Sequence, residues 1–407
     1  MTSAVGEVLP SPGVRTASRA TAVAFIGSGF TFASWASRIP QVRDTLQLSS
    51  ADLGLVLLAA AAGSVLGLPA SGPVVSRWGT RVTTMAMAVL AAVALAGIAV
   101  GHRFGVVPLV VSLFLMGLAY GAWDVGMNVH GAQVEQRLER AIMPRFHAGF
   151  SVGTVAGALI GAGAVAFDVP VTAHLLVVAV LVGVVVPLCV RGFFDHDDAV
   201  GDGADGAPAA PRRSALAAWR EPRTLLIGVF VLAFAFTEGT ANDWIGVAMI
   251  DGYSAPAAVG TLGFAAFLSA MTTARWFGPH LLDRYGRVPV IRGLAVVAVG
   301  GLLLFVLGPN LPVAIGGALL WGAGASLGFP VGMSAGSDDP AHAAARVSVI
   351  SSVGYCAFLG GPPLIGFLGE HSTVLRALLV VVALLVLAAV VASALRPPAD
   401  AGARRDA

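Results

Sequence analysis

The sequence predicts an all-α membrane protein with twelve transmembrane helices, arranged as two pseudo-symmetric six-helix bundles. Of its 407 residues 57% are hydrophobic and only 11% are charged, and the mean hydropathy is +0.85. A soluble domain carries about 25% charged residues, so this chain lacks the charge to cover a water-exposed surface. Disordered chains are poor in apolar residues, which excludes disorder as well.

Twelve apolar runs are long enough to cross a bilayer, which takes about 20 residues in a helix. The runs are continuous and do not alternate with a period of two, which favours helices over a barrel. Eleven runs follow the first one, so we interpret it as a retained span and not as a signal peptide. The predicted spans are 19–40, 52–75, 82–101, 106–130, 145–167, 170–192, 223–250, 256–279, 288–307, 311–334, 343–368 and 371–395.

The distribution of arginine predicts the orientation in the membrane. All 24 basic residues are arginine. On the predicted topology 19 of them lie on the side that holds both termini, 4 lie on the other side, and Arg275 lies within a span. Positive charge is retained in the cytoplasm, so we expect a multi-pass cell (inner) membrane protein with both termini cytoplasmic.

Two absences exclude several kinds of chemistry. Without lysine the chain cannot build a Walker-type phosphate loop or a Schiff-base enzyme. Cys189 and Cys356 both lie in apolar runs, and two cysteines make neither a disulfide framework nor a metal cluster. We therefore expect no enzymatic activity, no cofactor, no metal site and no nucleic-acid partner.

One long polar stretch, residues 193–222, separates six spans from six. Its glycine, alanine, proline and aspartate content is typical of a flexible linker. The acidic group around His196 has no second ligand cluster, so it predicts no metal site. The expected organisation is a first bundle over 1–192, a cytoplasmic linker over 193–222, and a second bundle with a short tail over 223–407.

The two halves carry an internal repeat, which is best sought before function is argued. Four landmarks recur in order with a nearly constant shift of 201 to 207 residues, which indicates two homologous halves. The pairs are Thr31 with Thr237, WDVGMN from Trp123 with FPVGMS from Phe329, SVG at Ser151 with SVG at Ser352, and SRWGT from Ser76 with DRYGR from Asp283.

Two of these loops resemble a family motif. GPVVSRWGTR (Gly72 to Arg81) and PHLLDRYGR (Pro279 to Arg287) are similar to the G-x-x-x-D-R-x-G-R loop of the major facilitator superfamily, with Ser76 and Pro279 departing from the pattern. The resemblance implies a gating role, because an acid at a helix end can hold a helix dipole and arginines in one conformation and release them in another. The alternative is that the arginines only mark orientation. The gating candidates are Gly72, Arg77, Gly79, Arg81, Asp283, Arg284, Gly286 and Arg287.

Ionisable groups inside spans are costly and need a reason. Asp124 and Asn128 lie four residues apart, as do Glu238 and Asn242, so each acid shares a helix face with an amide. Such pairs present donors and acceptors to a hydroxylated solute, and an apolar cavity favours a protonated carboxyl group. Asp124 and Glu238 are therefore the proton-coupling candidates, with Asn128 and Asn242 as solute contacts. The alternative is that neighbouring helices satisfy each acid.

Other polar and aromatic side chains in the spans allow two interpretations each. His147 is a solute or proton contact or an ordinary interfacial histidine. Arg38 is an anion anchor or snorkels outward, and Arg275 snorkels or pairs with Asp283. Trp35 and Trp123 stack on a solute or pack between helices. Asp243 is expected to be wet at the periplasmic mouth.

A second resemblance concerns function. GAWDVGMNV around Asp124 is similar to the acid-x-x-x-Asn pattern of the sugar:proton symporters that include fucose and glucose/galactose permeases, and RIP, DVxMN and GPPLIG are similar to a bacterial branch of that family. The resemblance implies that Asp124 is linked to proton transport and that Asn128 and His147 contact the solute. Glu238 stands where those proteins have a helix 7 acid, whereas helix 1 here has no acid. Drug:proton antiporters resemble one another in having an arginine in helix 4 and a Gly-Pro pair in helix 5. Both features are missing from the corresponding predicted helices of this sequence.

The predicted function is secondary active transport by alternating access, as symport of a small polar, sugar-like solute driven by the proton gradient. The alternatives are efflux by proton antiport of an amphipathic compound and a transporter-like membrane sensor of solutes. The expected partners are the lipid bilayer and the solute, and the expected functional unit is a monomer.

Overall fold

The computed structural model describes residues 11–138, 142–194, 217–339 and 342–397. All regular structure within these ranges is helical. Ten of the described helical stretches are long and apolar enough to cross a membrane. Most of the predicted linker, and the chain after residue 397, lie outside the described ranges.

The first half contains six helices, of which the third covers two predicted spans. α3 has 52 residues and breaks at Gly79, where φ is 74° and ψ is 167°. Its two parts match the predicted spans 52–75 and 82–101. The helices of this half are α1 (Pro12–Ala36), α2 (Ile39–Leu46), α3 (Ser50–Gly101), α4 (Val106–Leu138), α5 (Met143–Ala166) and α6 (Val171–Val190).

The second half repeats this order with two interrupted spans. α10 and α11 together occupy the predicted span 311–334, and α13 and α14 occupy 371–395, so the described helices are consistent with twelve spans. The helices are α7 (Pro222–Tyr253), α8 (Ala257–Tyr285), α9 (Arg287–Leu307), α10 (Leu311–Ala325), α11 (Gly328–Gly336), α12 (Ala343–His371), α13 (Val374–Ala377) and α14 (Leu379–Val391), followed by a 3₁₀ turn at Ala392–Leu395.

Glycines on α5 allow it to lie directly against α1. A Cβ atom at Gly153 would stand 2.2 Å from the carbonyl oxygen of Ile26, and one at Gly157 would stand 2.6 Å from that of Phe30. Small residues four apart bring membrane helices into backbone contact in this way. Gly153 and Gly157 therefore allow the backbones of α5 and α1 to approach closely.

The two halves meet through α3 with α12 and through α5 with α8. The bundle has two ends, which we call the arginine-rich side and the arginine-poor side. The arginine-rich side holds the start of α1, the breaks at Gly79 and Gly286, and the start of α7. The arginine-poor side holds α2 and the connections that follow α3, α5, α7 and α9. This geometry places the ends of α1 and α7 and the start of α8 together at the arginine-poor side.

Candidate functional site

The two halves are joined by hydrogen bonds on the arginine-poor side. Arg43 Nη2 donates to Asp251 Oδ1 at 2.9 Å, and Glu370 Oε2 accepts the backbone N–H of Ser50 at 3.1 Å. Within the described residues, every hydrogen bond between the halves lies on this side. We call these contacts the seam, which comprises four pairs: Arg43 with Asp251, Ser50 with Glu370, Ala51 with Glu370, and Ser37 with Thr261.

The backbones also approach closely at the seam. A Cβ atom at Gly54 of α3 would stand 2.5 Å from the carbonyl oxygen of Pro362, and one at Gly366 of α12 would stand 2.4 Å from that of Ser50. Such distances leave no room for side chains between α3 and α12. The described residues therefore close the bundle on the arginine-poor side.

Asp124 lies on the interior of the bundle in the middle of α4. Its side chain is exposed, although 18 residues of the 33-residue helix precede it and it therefore lies deep within the span. Asn128 Nδ2 donates to Asp124 Oδ1 at 3.1 Å and to its carbonyl oxygen at 2.8 Å. The predicted pairing on one helix face is thus present, and the acid remains accessible beside it.

Glu238 of α7 forms an ion pair that the sequence analysis did not predict. Arg275 Nη2 donates to Glu238 Oε2 at 2.8 Å, and Arg275 Nε donates to the carbonyl oxygen of Ser326 at 2.9 Å. Ser326 lies in the break between α10 and α11, where a backbone carbonyl lacks a helical partner. The expectation that Arg275 snorkels or pairs with Asp283 was wrong, because the guanidinium group bridges two elements inside the second half.

Charged and polar groups of the two halves face each other across this interior. His147 of α5 is exposed and interacts electrostatically with Arg275 of α8. Asp124 of α4 interacts electrostatically with Tyr355 of α12. The interior therefore offers acids, a guanidinium, an imidazole, an amide and a phenol to a single solute, with contributions from both halves.

Three of the predicted solute contacts, Trp35, Trp123 and Arg38, are buried within the first half in this structure. Trp35 is 4% exposed and Trp123 is fully buried, with its ring stacked on Tyr120 at a centroid distance of 6.1 Å. Arg38 is 2% exposed, and its Nε donates to His174 Nδ1 at 3.0 Å. Tyr120 lies on α4 itself, whereas His174 lies on α6, so Arg38 links the end of α1 to α6 in this conformation.

Asn242 does not contact Glu238, although the two lie four residues apart. Glu238 is turned to Arg275, whereas Asn242 lines a small cavity behind the seam, where its Oδ1 atom is buried without a hydrogen-bond partner. Asp243, expected to be wet at the mouth, lines the same cavity and is only partly exposed. The two acid–amide pairs therefore have different arrangements.

The gating candidates show one conserved backbone geometry. Gly79 has φ 74° and ψ 167°, and Gly286, at the junction of α8 and α9, has φ 78° and ψ 166°. This region of conformational space is essentially restricted to glycine. The two copies of the motif thus make the same turn. Gly72, Arg77, Asp283 and Arg284 are exposed near these turns, and Arg81 follows the first one.

On the arginine-rich side, Asp338 holds two arginines of the second half. Arg287, the last motif residue, donates to Asp338 Oδ1 at 2.7 Å, and Arg223 at the start of α7 donates to Oδ2 at 2.7 Å. Beside them, Arg346 Nε donates to Glu221 Oε2 at 2.7 Å, and this hydrogen bond holds the pKa of Glu221 below its usual value. This cluster was not predicted from the sequence, in which its signal is an acid four residues after the end of the FPVGMS segment.

Comparisons with known proteins agree on the family and the fold. The Major Facilitator Superfamily model matches residues 20–356. A protein of Sinorhizobium fredii, named as the uncharacterised transporter y4wD, is 32% identical over 383 residues, which cover 93% of this chain and 98% of that protein. The structure is similar to that of the nucleoside transporter NupG (TM-score 0.75, 15% identity, 95% and 98% of the two chains) and to that of the xylose transporter XylE from E. coli (TM-score 0.68, 14% identity, 93% and 97%).

Proposed function

The chain belongs to the major facilitator superfamily and is a multi-pass secondary transporter, and from this premise we propose that it is a proton-coupled symporter of a small polar, sugar-like solute. We place it in the cell (inner) membrane with both termini cytoplasmic, since positive charge is retained on that side. The arginine-rich side is then cytoplasmic and the seam is periplasmic. The described conformation is closed to the periplasm.

The observation that carries this proposal is the accessible acid in the middle of α4. Asp124 is exposed inside the bundle, and its one hydrogen-bond donor among the described side chains is Asn128. An acid at this depth is costly to insert and is retained for a function. A carboxyl group that can gain and lose a proton while it contacts a solute links the two fluxes.

The second half supplies a fixed set of donors and acceptors. The Glu238–Arg275 pair is about one-quarter exposed on each side chain. It presents carboxylate oxygens and guanidinium N–H groups together, which suits a neutral solute with several hydroxyl groups. Because Arg275 balances the charge of Glu238, Asp124 is the stronger candidate for the proton carrier and Glu238 for a solute contact.

The names of the two structural neighbours are compatible with this substrate class. NupG is named for nucleosides and XylE for xylose, and both solutes carry the hydroxyl groups of a sugar. His147 and Tyr355, which face the same interior, add an imidazole and a phenol that can bond to such groups.

The test is transport into proteoliposomes under an imposed pH gradient, with a panel of radiolabelled sugars and nucleosides. Symport predicts accumulation against the solute gradient when the outside is acidic. Expulsion of solute would instead support antiport, and binding without flux would support a sensor.

A variant separates the role of Asp124 from solute binding. Asp124→Asn keeps the size of the side chain and removes its proton site, so we expect exchange of labelled for unlabelled solute to continue while gradient-driven accumulation is lost. If Asp124→Asn accumulates solute as the wild type does, the assignment of the proton carrier is wrong.

A further inference from the structure

A small cavity lies behind the seam, between the end of α1, the middle of α7 and the start of α8. Its volume is about 10 Å³, which is room for roughly one water molecule. The polar residues that line it are Ser37, Asn242, Asp243 and Thr261, and the rest of the lining is apolar or glycine. Both halves of the chain contribute to it, so it exists only while the seam is closed.

The two hydroxyl donors that line this cavity are already used elsewhere, and within the described part of the chain the Asn242 amide makes no hydrogen bond to Asp243. Thr261 Oγ1 donates to the carbonyl oxygens of Ala257 (3.1 Å) and Ser37 (3.4 Å), and Ser37 Oγ donates to that of Ser34 at 2.8 Å. Among the described residues none donates a hydrogen bond to the carboxyl group of Asp243. Each of the two hydroxyl groups has a single proton, so neither is left for Asp243.

No positive charge balances Asp243 either. Among the described residues no cationic side chain forms an ion pair with Asp243, whose side chain is only partly exposed. On the α1–α2 side, Arg38 is bonded to His174 and Arg43 to Asp251. On α8 the nearest cation, Arg275, lies about four turns away from Thr261 and is paired with Glu238. On α12, Glu370 is an acid bonded to the backbone of α3, and His371 lies at its exposed end.

An ionised carboxylate in such a place is strongly disfavoured, because it has neither donors nor a counter-charge. A proton removes this cost. It also supplies an O–H donor to a cavity in which Asn242 Oδ1 is buried without one. When the seam opens, water solvates the carboxylate and the proton can leave.

We propose that Asp243 is a proton-binding site that is loaded from the periplasm and sealed when the seam closes. The proposal rests on the proposed function in one respect, which is that the chain alternates between two conformations. It assigns Asp243 a role separate from that of Asp124, which faces the solute. Deprotonation of Asp243 holds the seam open, and protonation permits closure.

The direction of the pH effect distinguishes Asp243 from the other acids of the seam. Asp251 and Glu370 accept hydrogen bonds as carboxylates, so their protonation at acidic pH loosens the seam. Protonation of Asp243 has the opposite effect, because it permits closure. The seam therefore loosens when the pH rises and Asp243 loses its proton. His174 and His371 also lie on the arginine-poor side, and they are unchanged in a variant of Asp243 alone.

The experiment measures the seam directly, without solute and without a gradient. In a chain with Cys189→Ser and Cys356→Ser, spin labels on Thr45→Cys of α2 and Ser372→Cys after α12 report the distance between the halves. Both positions are exposed. Distance distributions are recorded in lipid nanodiscs from about pH 5.5 to about pH 8.5, above the range in which ordinary carboxyl groups titrate.

We expect the open population of the wild type to rise severalfold over this range. Asp243→Asn, which mimics the protonated side chain, and Asp243→Ala should both stay closed at every pH. Asp168→Asn is the matched control, because Asp168 is an exposed acid outside the seam with φ 51°, which asparagine tolerates. It should behave as the wild type does.

Three results would overturn the proposal: a wild type whose distance does not depend on pH, an Asp243→Asn variant with the wild-type dependence, or a distance that follows sodium concentration at fixed pH. Because the measurement uses neither solute nor gradient, failure of the symport assay would leave this result standing. If the symport assay succeeds but the distance between the spin labels lacks the expected pH dependence, the proposal for Asp243 is still refuted.

Discussion

The contact between α1 and α5 predicts opposite effects for one substitution at two glycines of the same helix. A Cβ atom at Gly153 would stand 2.2 Å from the carbonyl oxygen of Ile26 and 2.9 Å from the backbone nitrogen of Phe30, whereas nothing lies within 4 Å of one at Gly163. Both neighbours of Gly153 are backbone atoms, so no rotamer change can relieve the clash. The helices would have to separate by about 1 Å, and overpacking of this kind costs about 1–3 kcal/mol.

The Gly163→Ala variant isolates this cost. Alanine gains about 1 kcal/mol of helix propensity over glycine at either position, so the difference between the two variants is the overpacking term alone. Thermal unfolding of the purified protein in detergent should place Gly163→Ala at or above the wild type and Gly153→Ala below it. Equal unfolding temperatures for the two variants would refute the reasoning that backbone contact holds α5 on α1.

Three further predictions follow from the ion pairs. Arg43→Gln removes a partly exposed ion pair with Asp251 worth about 1 kcal/mol. The two spin labels across the seam should then report an open population raised about fivefold. An unchanged open population would show that the ion pair does not hold the seam. Arg275→Gln leaves Glu238 without its counter-charge and should lower stability by about 1–3 kcal/mol. The double variant Glu238→Gln/Arg275→Gln should recover part of this loss in thermal unfolding, and a loss equal to the sum of the single variants would contradict the pairing. The lowered pKa of Glu221 means that its contribution to stability is complete above about pH 4.3 and is lost as pH falls below it. Acidification should therefore destabilise the wild type more than Glu221→Gln, as measured by the unfolding temperature at each pH.

The positions of the spans could be predicted well from the sequence, because hydropathy is a local property of each run. The span predicted at 288–307 is α9, Arg287–Leu307, and the span predicted at 106–130 begins where α4 begins, at Val106. Hydropathy could not show the short helix α2 or the interruption between α10 and α11. Both depend on how the chain turns at a membrane surface or around a neighbouring side chain, which is a property of packing.

The partners of the polar residues were harder to predict for the same reason. Asp124 and Asn128 contact each other because both lie on one helix, where spacing fixes geometry. Arg275 and Glu238 lie on different helices, and their meeting depends on the rotation of α7 and α8 about their axes. Trp123 lies beside Asp124 in sequence yet points into the first half, since successive residues of a helix face different directions. Sequence can nominate such residues, but the relative rotation of the helices decides which of them meet.

The matching turns at Gly79 and Gly286 have a consequence for how the two halves have diverged. The charges of the repeated loop have been exchanged freely, with Ser76 where the second copy has Asp283, while both glycines keep φ near +75° and ψ near 167°. A side chain at either glycine would have to adopt a backbone conformation essentially closed to it, whereas a lost charge only removes one contact. In both halves the bend in the main chain is therefore the part of the loop least open to substitution.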